Sequence, residues 1–247
     1  MLLAIDIGNT STKFGVYENA TLTARQTIPT IHTLTAGEIQ NLAEIKQTVH
    51  AVVISSVVSE LKDAYREYSN KSFGIEPIFI KSSSNFGLKI SYVPAETLGV
   101  DRFVAAFAAT EKYGKPCIVG DFGTATTIDA VNLNGEYLGG IITPGMNTMR
   151  ESLFTKTSAL PLIELRRPET VIGNSTAASI QSGIYFGYVA LVDGLIERIK
   201  AELGEPAKVV ATGGLAKFIA ESSKQIETLD DDLMLDGLRL LHDKHLR

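Results

Sequence analysis

The chain has 247 residues, of which 45% are hydrophobic and 21% charged, enough apolar side chains to bury one large or two modest cores. Its formal net charge is -5 and its basic residues are scattered, so the sequence shows no basic patch that would favour nucleic acid as a partner. The single cysteine, Cys117, excludes an internal disulfide and a CxxC zinc site, and it fits a reducing cytoplasm.

The N-terminal residues do not resemble a signal peptide, because Asp6 interrupts their apolar run early. A second stretch, 170–192, carries no charged residue and has the length of a membrane span of about 20 residues. It also contains amides and hydroxyls, which are costly in lipid: Asn174, Ser175, Ser179, Gln181 and Ser182. We therefore expect a cytoplasmic protein in which this stretch forms a buried or subunit-facing helix, with no membrane and no nucleic acid as partner.

The first half alternates predicted strands and helices. The run LLAIDIG indicates a buried strand, and KFGVYENATLTARQTI indicates two more strands around a turn at Glu18 and Asn19. Apolar spacing predicts helices over 35–48 and about 59–68, separated by the strand AVVISSV and followed by the strand EPIFIK. This alternation predicts a layered α/β domain with some parallel pairing.

A domain boundary is expected after the next helix. The segment LGVDRFVAAFAATEKYG predicts an alanine-rich helix that Gly114 closes, with Pro116 two residues later. We therefore expect an N-terminal domain at 1–113 and a C-terminal domain at 114–247.

The second half begins with the apolar run CIVGDFGTATTIDAV, which indicates strands. A glycine-rich loop, GEYLGGIITPGMNTMRESL, and a later strand, AKVVATGG, are predicted from composition. Apolar spacing and capping residues predict helices over 147–158, 175–203 and about 234–245.

The opening strand of each half ends in the same polar pattern. Four positions recur at a single offset of 115 residues: Asp6 with Asp121, Gly8 with Gly123, Thr12 with Thr127, and Val16 with Val131. A repeat of this length predicts two similar domains, each opening with a strand that ends in Asp-x-Gly and hydroxyl residues.

An Asp-x-Gly turn of this kind can bind a nucleotide triphosphate. Its backbone N–H groups and hydroxyls can donate to phosphate oxygens, and its carboxylate can hold a divalent cation directly or through water. One isolated copy is more often an ordinary β-turn in which aspartate and glycine satisfy local geometry. Two copies at matching places favour the phosphate site.

Other common catalytic patterns are absent from the sequence. No two glycines are separated by a single residue, and Gly114-Lys115 is followed by proline, so the dinucleotide fingerprint and the Walker A loop are both excluded. Neither HExxH nor GxSxG occurs. The paired glycines in ATGGLAK, 211–217, either let a ring or ribose approach the backbone or mark the start of a helix.

Together these motifs resemble those of the type III pantothenate kinase family. They span nearly the whole chain in the family's order: Asp-x-Gly-Asn-Thr at the N-terminus, Gly-Val-Asp-Arg at 99–102, DFGTATTID at 121–129, GGIITPG at 139–145, GNSTAASIQSG at 173–183 and ATGGLA at 211–216. The resemblance implies a duplicated ribonuclease-H-like α/β fold of the actin and sugar-kinase type, with mixed sheets flanked by helices, usually as a homodimer. It also implies that ATP phosphorylates pantothenate to 4'-phosphopantothenate, the first step of coenzyme A synthesis.

The resemblance implies roles for individual residues. Asp101 would be the catalytic base, Asp121 the ligand of a monovalent cation, K⁺ or NH₄⁺, and Asp6 the carboxylate associated with Mg²⁺. The residues that would hold ATP are Asp6, Ile7, Gly8, Asn9, Thr10, Ser11, Thr12, Lys13 and Thr124. The residues that would line the pantothenate site are Tyr92, Gly99, Val100, Asp101, Arg102 and Thr176.

Each of these roles has an alternative. Asp101 could accept a proton from the substrate alcohol, or it could be a helix N-terminal aspartate stabilised by the macrodipole. Arg102 could anchor the pantothenate carboxylate, or it could form a salt bridge. The apolar positions of the 175–203 helix, from Ile184 to Ile199, could form a core or a homodimer seam.

Two other functions stay open. Another small-molecule kinase of the same fold would use the same phosphate loops, since only the segments near 92–102 and 173–176 concern the acceptor. A non-catalytic regulatory relative would be free to lose Asp6, Asp101 or Asp121, and all three are present.

Overall fold

The structure is a computed structural model, and it describes residues 1–82 and 86–246. Residue contacts divide the chain into two units. Unit 1 comprises Met1–Lys112 and Asp232–Arg247, and unit 2 comprises Tyr113–Asp231. The expected boundary lies within one residue of this division, but the closing segment, which we expected in the second domain, groups with unit 1.

Unit 1 is built on a five-stranded mixed sheet in the order β3-β2-β1-β4-β5. The strands are β1 (Leu2–Ile7), β2 (Ser11–Glu18), β3 (Thr21–Pro29), β4 (Ala51–Ser56) and β5 (Ile78–Phe79). The central strand β1 pairs antiparallel with β2 and parallel with β4, so both of its edges are hydrogen-bonded. The predicted turn between β2 and β3 is confirmed, with Asn19 in the left-handed region at φ 54°.

Among the described residues, three α-helices begin before the division between the units. They are α1 (Ala36–Ala43), α2 (Lys62–Phe73) and α3 (Val100–Tyr113), and a short strand, β6 (Lys89–Ile90), lies before α3. A capping box between Thr35 and Glu38 begins α1, which ends at Ala43 and is shorter than predicted. Side chains of α1 and α2 pack with those of β1, β2 and β4 into one core, in which Phe14 and Tyr65 are fully buried.

Unit 2 contains the strands β7 (Cys117–Phe122), β8 (Ala125–Val131), β9 (Glu136–Pro144), β10 (Lys208–Thr212) and β11 (Thr228–Leu229), in the order β11-β10-β7-β8-β9. The expectation of a glycine-rich loop over the β9 segment is wrong, because these residues form a nine-residue strand. Glycine is required there by close packing: a Cβ on Gly140 would lie 2.1 Å from the carbonyl oxygen of Ile128 on β8.

The remaining helices are α4 (Met146–Lys156), α5 (Thr176–Leu203), α6 (Ala216–Ala220) and α7 (Leu233–Leu241), with a π-helical turn over His242–Leu246. The helix α5 begins at the Ser175 cap and ends at Gly204, whose φ is 70°. Its apolar stripe packs in the core of unit 2: Ile184, Tyr188, Leu191, Leu195 and Ile199. Ile184 and Tyr188 are buried and the other three are partly buried, so the stripe packs mainly as core, while a dimer seam on α5 stays a prediction.

Within the described residues, α5 is the one helix with the length and composition of a membrane span. Half of the apolar window is buried inside the protein. The core helix of a soluble protein passes the same test, so this observation is weak evidence for a span.

The two sheets repeat the same local topology with one difference in register. In unit 1, Asp6 on β1 lies opposite Lys13 on β2, whereas in unit 2 Asp121 on β7 lies opposite Thr127 on β8. The loop after β1 is one residue longer than the loop after β7. The structural counterpart of Thr12 is therefore Thr126, and the offset of 115 residues seen in the sequence holds only as far as the loop.

The contact of α7 with α3 generates a stability prediction. A Cβ on Gly237 would lie 2.8 Å from the Val104 side chain and 3.0 Å from Ala108, so Gly237→Ala overpacks this contact. We expect it to lower the free energy of unfolding by about 1–3 kcal/mol. Chemical denaturation measures the change. The matched control is Gly37→Ala in α1, where no described atom lies within 4 Å of the added Cβ. That control should stabilise by about 0.5–1 kcal/mol, and a neutral Gly237→Ala would contradict the packing argument.

Candidate active site

The carboxylate of Asp6 lies near the carboxyl end of β1 with a partner on each neighbouring strand. Ser55, its register partner on β4, donates a hydrogen bond from Oγ to Asp6 Oδ1 at 2.5 Å. Burial raises the pKa of the Asp6 carboxyl above its usual value, while the Ser55 hydrogen bond and the Lys13 ammonium group lower it in part. A metal ion or another cation at this carboxylate would further favour the ionised form.

The chain turns sharply directly after β1. The N–H of Gly8 donates to the carbonyl oxygen of Ser11 at 3.1 Å, and a Cβ on Gly8 would lie 3.1 Å from that oxygen. Asn9 and Thr10, at the tip of the turn, are exposed. This short polar turn places exposed backbone and side-chain groups next to a carboxylate, an arrangement suited to phosphate oxygens.

Two members of the expected ATP-binding segment point into the protein. The side chains of Ile7 and Thr12 are 1% and 0% exposed, and the Thr12 hydroxyl lies 2.9 Å from the Thr30 hydroxyl. These two side chains therefore pack inside the protein next to the loop and do not face a ligand. Lys13, opposite Asp6, is the residue of β2 whose charge acts on that carboxylate.

The helix α3 brings the second cluster of expected residues into unit 1. Gly99 precedes its first turn, which begins at Val100, and the Gly99 carbonyl accepts a hydrogen bond from the Phe103 N–H. Asp101 Oδ1 accepts the N–H of Arg102 at 2.9 Å. A Cβ on Gly99 would lie 2.5 Å from the same Oδ1, so glycine here leaves room for the carboxylate.

Tyr92 and Arg102 lie together beside this helix start. The Arg102 guanidinium carbon lies 5.4 Å from the centre of the Tyr92 ring, and Arg102 is only 6% exposed. A stacked, buried guanidinium keeps a fixed orientation, which suits recognition of a planar anion such as a carboxylate.

The two clusters of unit 1 approach each other. The Asp101 carboxylate is close enough to Asp6 to raise the pKa of the Asp6 carboxyl. The aspartate near the end of β1 and the aspartate at the start of α3, 95 residues apart in the sequence, thus share one local electrostatic environment. Neighbouring carboxylates of this kind are common where a proton is transferred or a metal bound.

Unit 2 places Asp121 in the equivalent position, with hydroxyl residues as its register partners. Thr127 lies opposite it on β8, and Thr212 lies beside it on β10. Gly213 follows with φ 95°, and a Cβ there would lie 2.4 Å from Asp121 Oδ1. Thr212 is 1% exposed, and among the described residues its Oγ1 has no hydrogen-bond partner.

The turn after β7 is held by the residues that follow β9. The Thr124 carbonyl accepts hydrogen bonds from the Gly145 N–H at 3.0 Å and from Thr148 Oγ1 at 2.7 Å. A Cβ on Gly145 would lie 2.2 Å from the Gly123 carbonyl oxygen, which explains the glycine of the TPG motif. Thr124 itself is exposed and accessible to a ligand.

Thr176 is the first residue of α5 and is exposed. The preceding Ser175 caps the helix by accepting the Ala178 N–H at 3.2 Å. Gly173 lies so close to this turn that an added Cβ would be 2.4 Å from the Ser179 nitrogen. The GNST motif therefore encodes a tight helix start, and the substrate role of Thr176 remains a prediction.

Sequence reasoning missed several residues that shape these loops. Ser55 is the partner of Asp6, Thr30 bonds to Thr12, and Thr148 bonds to Thr124. The one sequence signal for Ser55 was its place near the end of the predicted strand AVVISSV, which the structure pairs in parallel with β1. Thr30 and Thr148 lack such a signal, because their contacts depend on which strands and helices become neighbours.

Comparison with known families decides among the possible functions. The family model described as type III pantothenate kinase matches residues 2–198. The chain belongs to the type III pantothenate kinase family. This confirms the family resemblance inferred from the motifs, and it makes the chain a kinase with ATP as substrate.

Relatives match along the whole chain. A type III pantothenate kinase from Anaeromyxobacter sp. (strain Fw109-5) is 46% identical over 253 residues, which cover 99% of this chain and 100% of the relative. A type III pantothenate kinase from Koribacter versatilis (strain Ellin345) is 41% identical over 263 residues, covering 99% and 96% of the two chains.

Solved structures confirm the expected fold. A protein from Listeria monocytogenes assigned as an N-acetylmannosamine kinase aligns with a TM-score of 0.59 at 14% identity, covering 100% of this chain and 99% of the other. The ethanolamine utilization protein EutJ from Carboxydothermus hydrogenoformans aligns with a TM-score of 0.55 at 12% identity, covering 97% and 89%. The pantothenate kinase chain therefore has the duplicated α/β fold of the actin and sugar-kinase type.

Proposed function

We propose that Asp101 is the general base in the reaction that family membership gives this chain, the phosphorylation of pantothenate by ATP in coenzyme A biosynthesis. The terminal hydroxyl of pantothenate is a poor nucleophile at neutral pH, so a carboxylate that orients it and accepts its proton lowers the barrier as the new P–O bond forms. Asp101 is partly exposed at the start of α3, where such a hydroxyl can reach it.

One observation carries this assignment: Asp101 lies near enough to Asp6 within unit 1 for its charge to contribute to the raised pKa of the Asp6 carboxyl. The loop proposed to hold phosphates and the helix start proposed to hold the acceptor alcohol are neighbours. Phosphoryl transfer is accelerated mainly by positioning the reactants and stabilising charge, so these two functions must be close together.

We assign recognition of pantothenate to the residues around the start of α3. Arg102 offers a planar fork to the pantothenate carboxylate, and stacking on Tyr92 supports the orientation of that fork. Gly99 and Val100 form the backbone beside Asp101. Thr176 is the further residue that we propose for this substrate, as the family motif implies.

Two cations belong to the proposal. Mg²⁺ usually takes one or two protein carboxylates together with substrate phosphates and water. The described residues contain no group of three or more His, Cys, Asp or Glu side chains that could hold a metal. We therefore propose that Mg²⁺ binds through the single carboxylate of Asp6 together with phosphates of the nucleotide. Magnesium would neutralise phosphate charge during transfer.

The monovalent cation, K⁺ or NH₄⁺, would be held at Asp121. The buried Thr212 hydroxyl supplies a second oxygen beside it, and Gly213 leaves the carboxylate uncovered by a side chain. An unpartnered buried hydroxyl is costly, and an oxygen-binding cation would compensate for it.

We also propose a cytoplasmic homodimer that associates through a second face of α5, without nucleic acid or membrane as partner. No described atom lies within 4 Å of a Cβ built on Gly183, Gly187 or Gly194. Each glycine costs a helix about 1 kcal/mol relative to alanine, and packing within unit 2 does not require it. Close approach of a second helix would explain all three.

The catalytic assignment predicts the behaviour of Asp101→Asn. We expect its kcat to fall by about 10²-fold or more in an assay coupled to ADP release, because the amide accepts no proton. The matched control is Asp63→Asn, since Asp63 also lies in the first turn of a helix. A near-wild-type kcat for Asp101→Asn would remove the base assignment, and turnover with another alcohol but not with pantothenate would remove the substrate assignment.

The cation proposal predicts a specific defect in Thr212→Val. We expect the K⁺ concentration for half-maximal activity to rise several-fold, because one oxygen is lost while side-chain volume is kept. Folding should be unaffected, since the hydroxyl has no partner within the described residues. The measurement is a K⁺ titration at constant ionic strength. Full activity of the wild type in Na⁺ alone would contradict the site.

The dimer proposal predicts that Gly187→Leu yields a folded monomer. The Cβ of the added side chain meets no other side chain or element within 4 Å in this chain, whereas the leucine would collide with a closely packed partner helix. Light scattering after gel filtration gives the mass, and circular dichroism checks the fold. The control Gly37→Leu adds the same side chain at an equally open helical glycine of unit 1 and should not change the mass. A dimeric Gly187→Leu variant would place the seam elsewhere.

A further inference from the structure

Thr30 lies outside every motif of the sequence and contacts the phosphate loop at two points. It follows Pro29, the last residue of β3. Its N–H donates to the carbonyl oxygen of Thr10 at 2.9 Å, and its hydroxyl lies 2.9 Å from that of Thr12. One contact holds the tip of the loop, and the other holds the strand that follows the loop.

The Thr12 hydroxyl is fully buried, so its bond to Thr30 serves the protein and not a ligand. Burial raises the pKa of the Tyr65 phenol on α2, and the nearby Thr12 hydroxyl lowers it in part, although the Tyr65 hydroxyl has no well-oriented hydrogen-bond partner among the described residues. Leaving a buried hydroxyl unpaired costs free energy. The position of β2 directly after the loop is therefore coupled to the side chain at position 30.

Unit 2 uses the same chemistry at the register-equivalent position. Thr126, the counterpart of Thr12, is also fully buried, and its hydroxyl is hydrogen-bonded to that of Tyr188 on α5. The partner differs between the units: it is Thr30, which follows β3, in unit 1, and Tyr188, which lies on α5, in unit 2. Thr12 lies opposite Ile7, and Thr126 lies opposite Phe122. In both units, therefore, the threonine opposite the residue that follows the aspartate is held by a bond between two hydroxyl groups.

We propose that Thr30 is a positioning residue for ATP binding, which keeps the loop from Gly8 to Ser11 in the shape that receives the phosphates. The inference rests on the proposed function of that loop. A loop that is already ordered binds its ligand without paying the cost of ordering at that moment. In this role Thr30 touches no reacting atom. A change at Thr30 should therefore alter the affinity for the nucleotide more than it alters kcat.

The test is a set of variants that separate positioning from stability. Thr30→Val removes the hydroxyl and keeps the backbone contact, while Thr30→Ser restores the hydroxyl. We expect Thr30→Val to weaken binding of a non-hydrolysable ATP analogue with Mg²⁺ by about three- to tenfold in calorimetry, the loss that one hydrogen bond supports. Thr30→Ser should bind within about twofold of wild type.

A double variant distinguishes a positioning role from a purely structural one. In Thr12→Val/Thr30→Val the two hydroxyls of this pair are removed together and neither is left without the other, so thermal stability should recover relative to Thr30→Val. The directional bond is still missing, so nucleotide binding should stay weak. If binding recovers together with stability, the role of Thr30 is structural only and the proposal is overturned.

Thr23→Val is the matched control, because Thr23 lies on β3, the strand that Thr30 follows, and the variant also loses one side-chain hydrogen bond, to the Val16 carbonyl on β2. It should bind the analogue like wild type. Unchanged binding by Thr30→Val, with wild type binding normally, would refute the positioning role while leaving the proposed function intact. A wild type that fails to bind the nucleotide would refute both.

Discussion

The interaction on which this site depends is the burial of a carboxylate near the end of a central strand. Asp6 can occupy that place because β1 is hydrogen-bonded on both edges, so its backbone is satisfied and its neighbours supply a serine hydroxyl and a lysine ammonium group. The carboxyl nevertheless keeps a raised pKa. A partly buried acid with incomplete compensation favours a bound cation, and the loop that follows it carries exposed polar groups suited to the phosphates that we propose to accompany such a cation.

The second unit repeats this arrangement with different chemistry. The loop after β7 is one residue shorter, so the residue facing Asp121 is a neutral threonine where the residue facing Asp6 is a lysine. Thr212 takes the place that Ser55 has in unit 1. A change of one residue in a turn thus altered which side chain faces each aspartate, because a shift of one position along a strand moves a side chain to the other face of the sheet.

The proposed recognition of the substrate depends on a second element of unit 1, the start of α3. Four consecutive residues perform distinct tasks there: Gly99 leaves space, Val100 begins the helix, Asp101 presents a carboxylate and Arg102 turns inward onto Tyr92. The carboxylate lies in the first turn, where the helix dipole stabilises negative charge. The explanation of Asp101 as a helix-start residue and its proposed role as a base are therefore compatible.

The sequence by itself determined the α/β class, the turns at Asn19 and Gly114, the repeated Asp-x-Gly loops and, through its motifs, the family. These features depend on residues close together in the chain, whose periodicity and turn chemistry are visible locally. Only the tertiary structure decided that the 136–144 segment is a strand, that the final helix groups with unit 1, that Ser55 bonds to Asp6 and that Thr30 bonds to the loop after β1 and to β2. Their partners are distant in sequence, so strand order and register, which no local pattern encodes, determine which side chains meet.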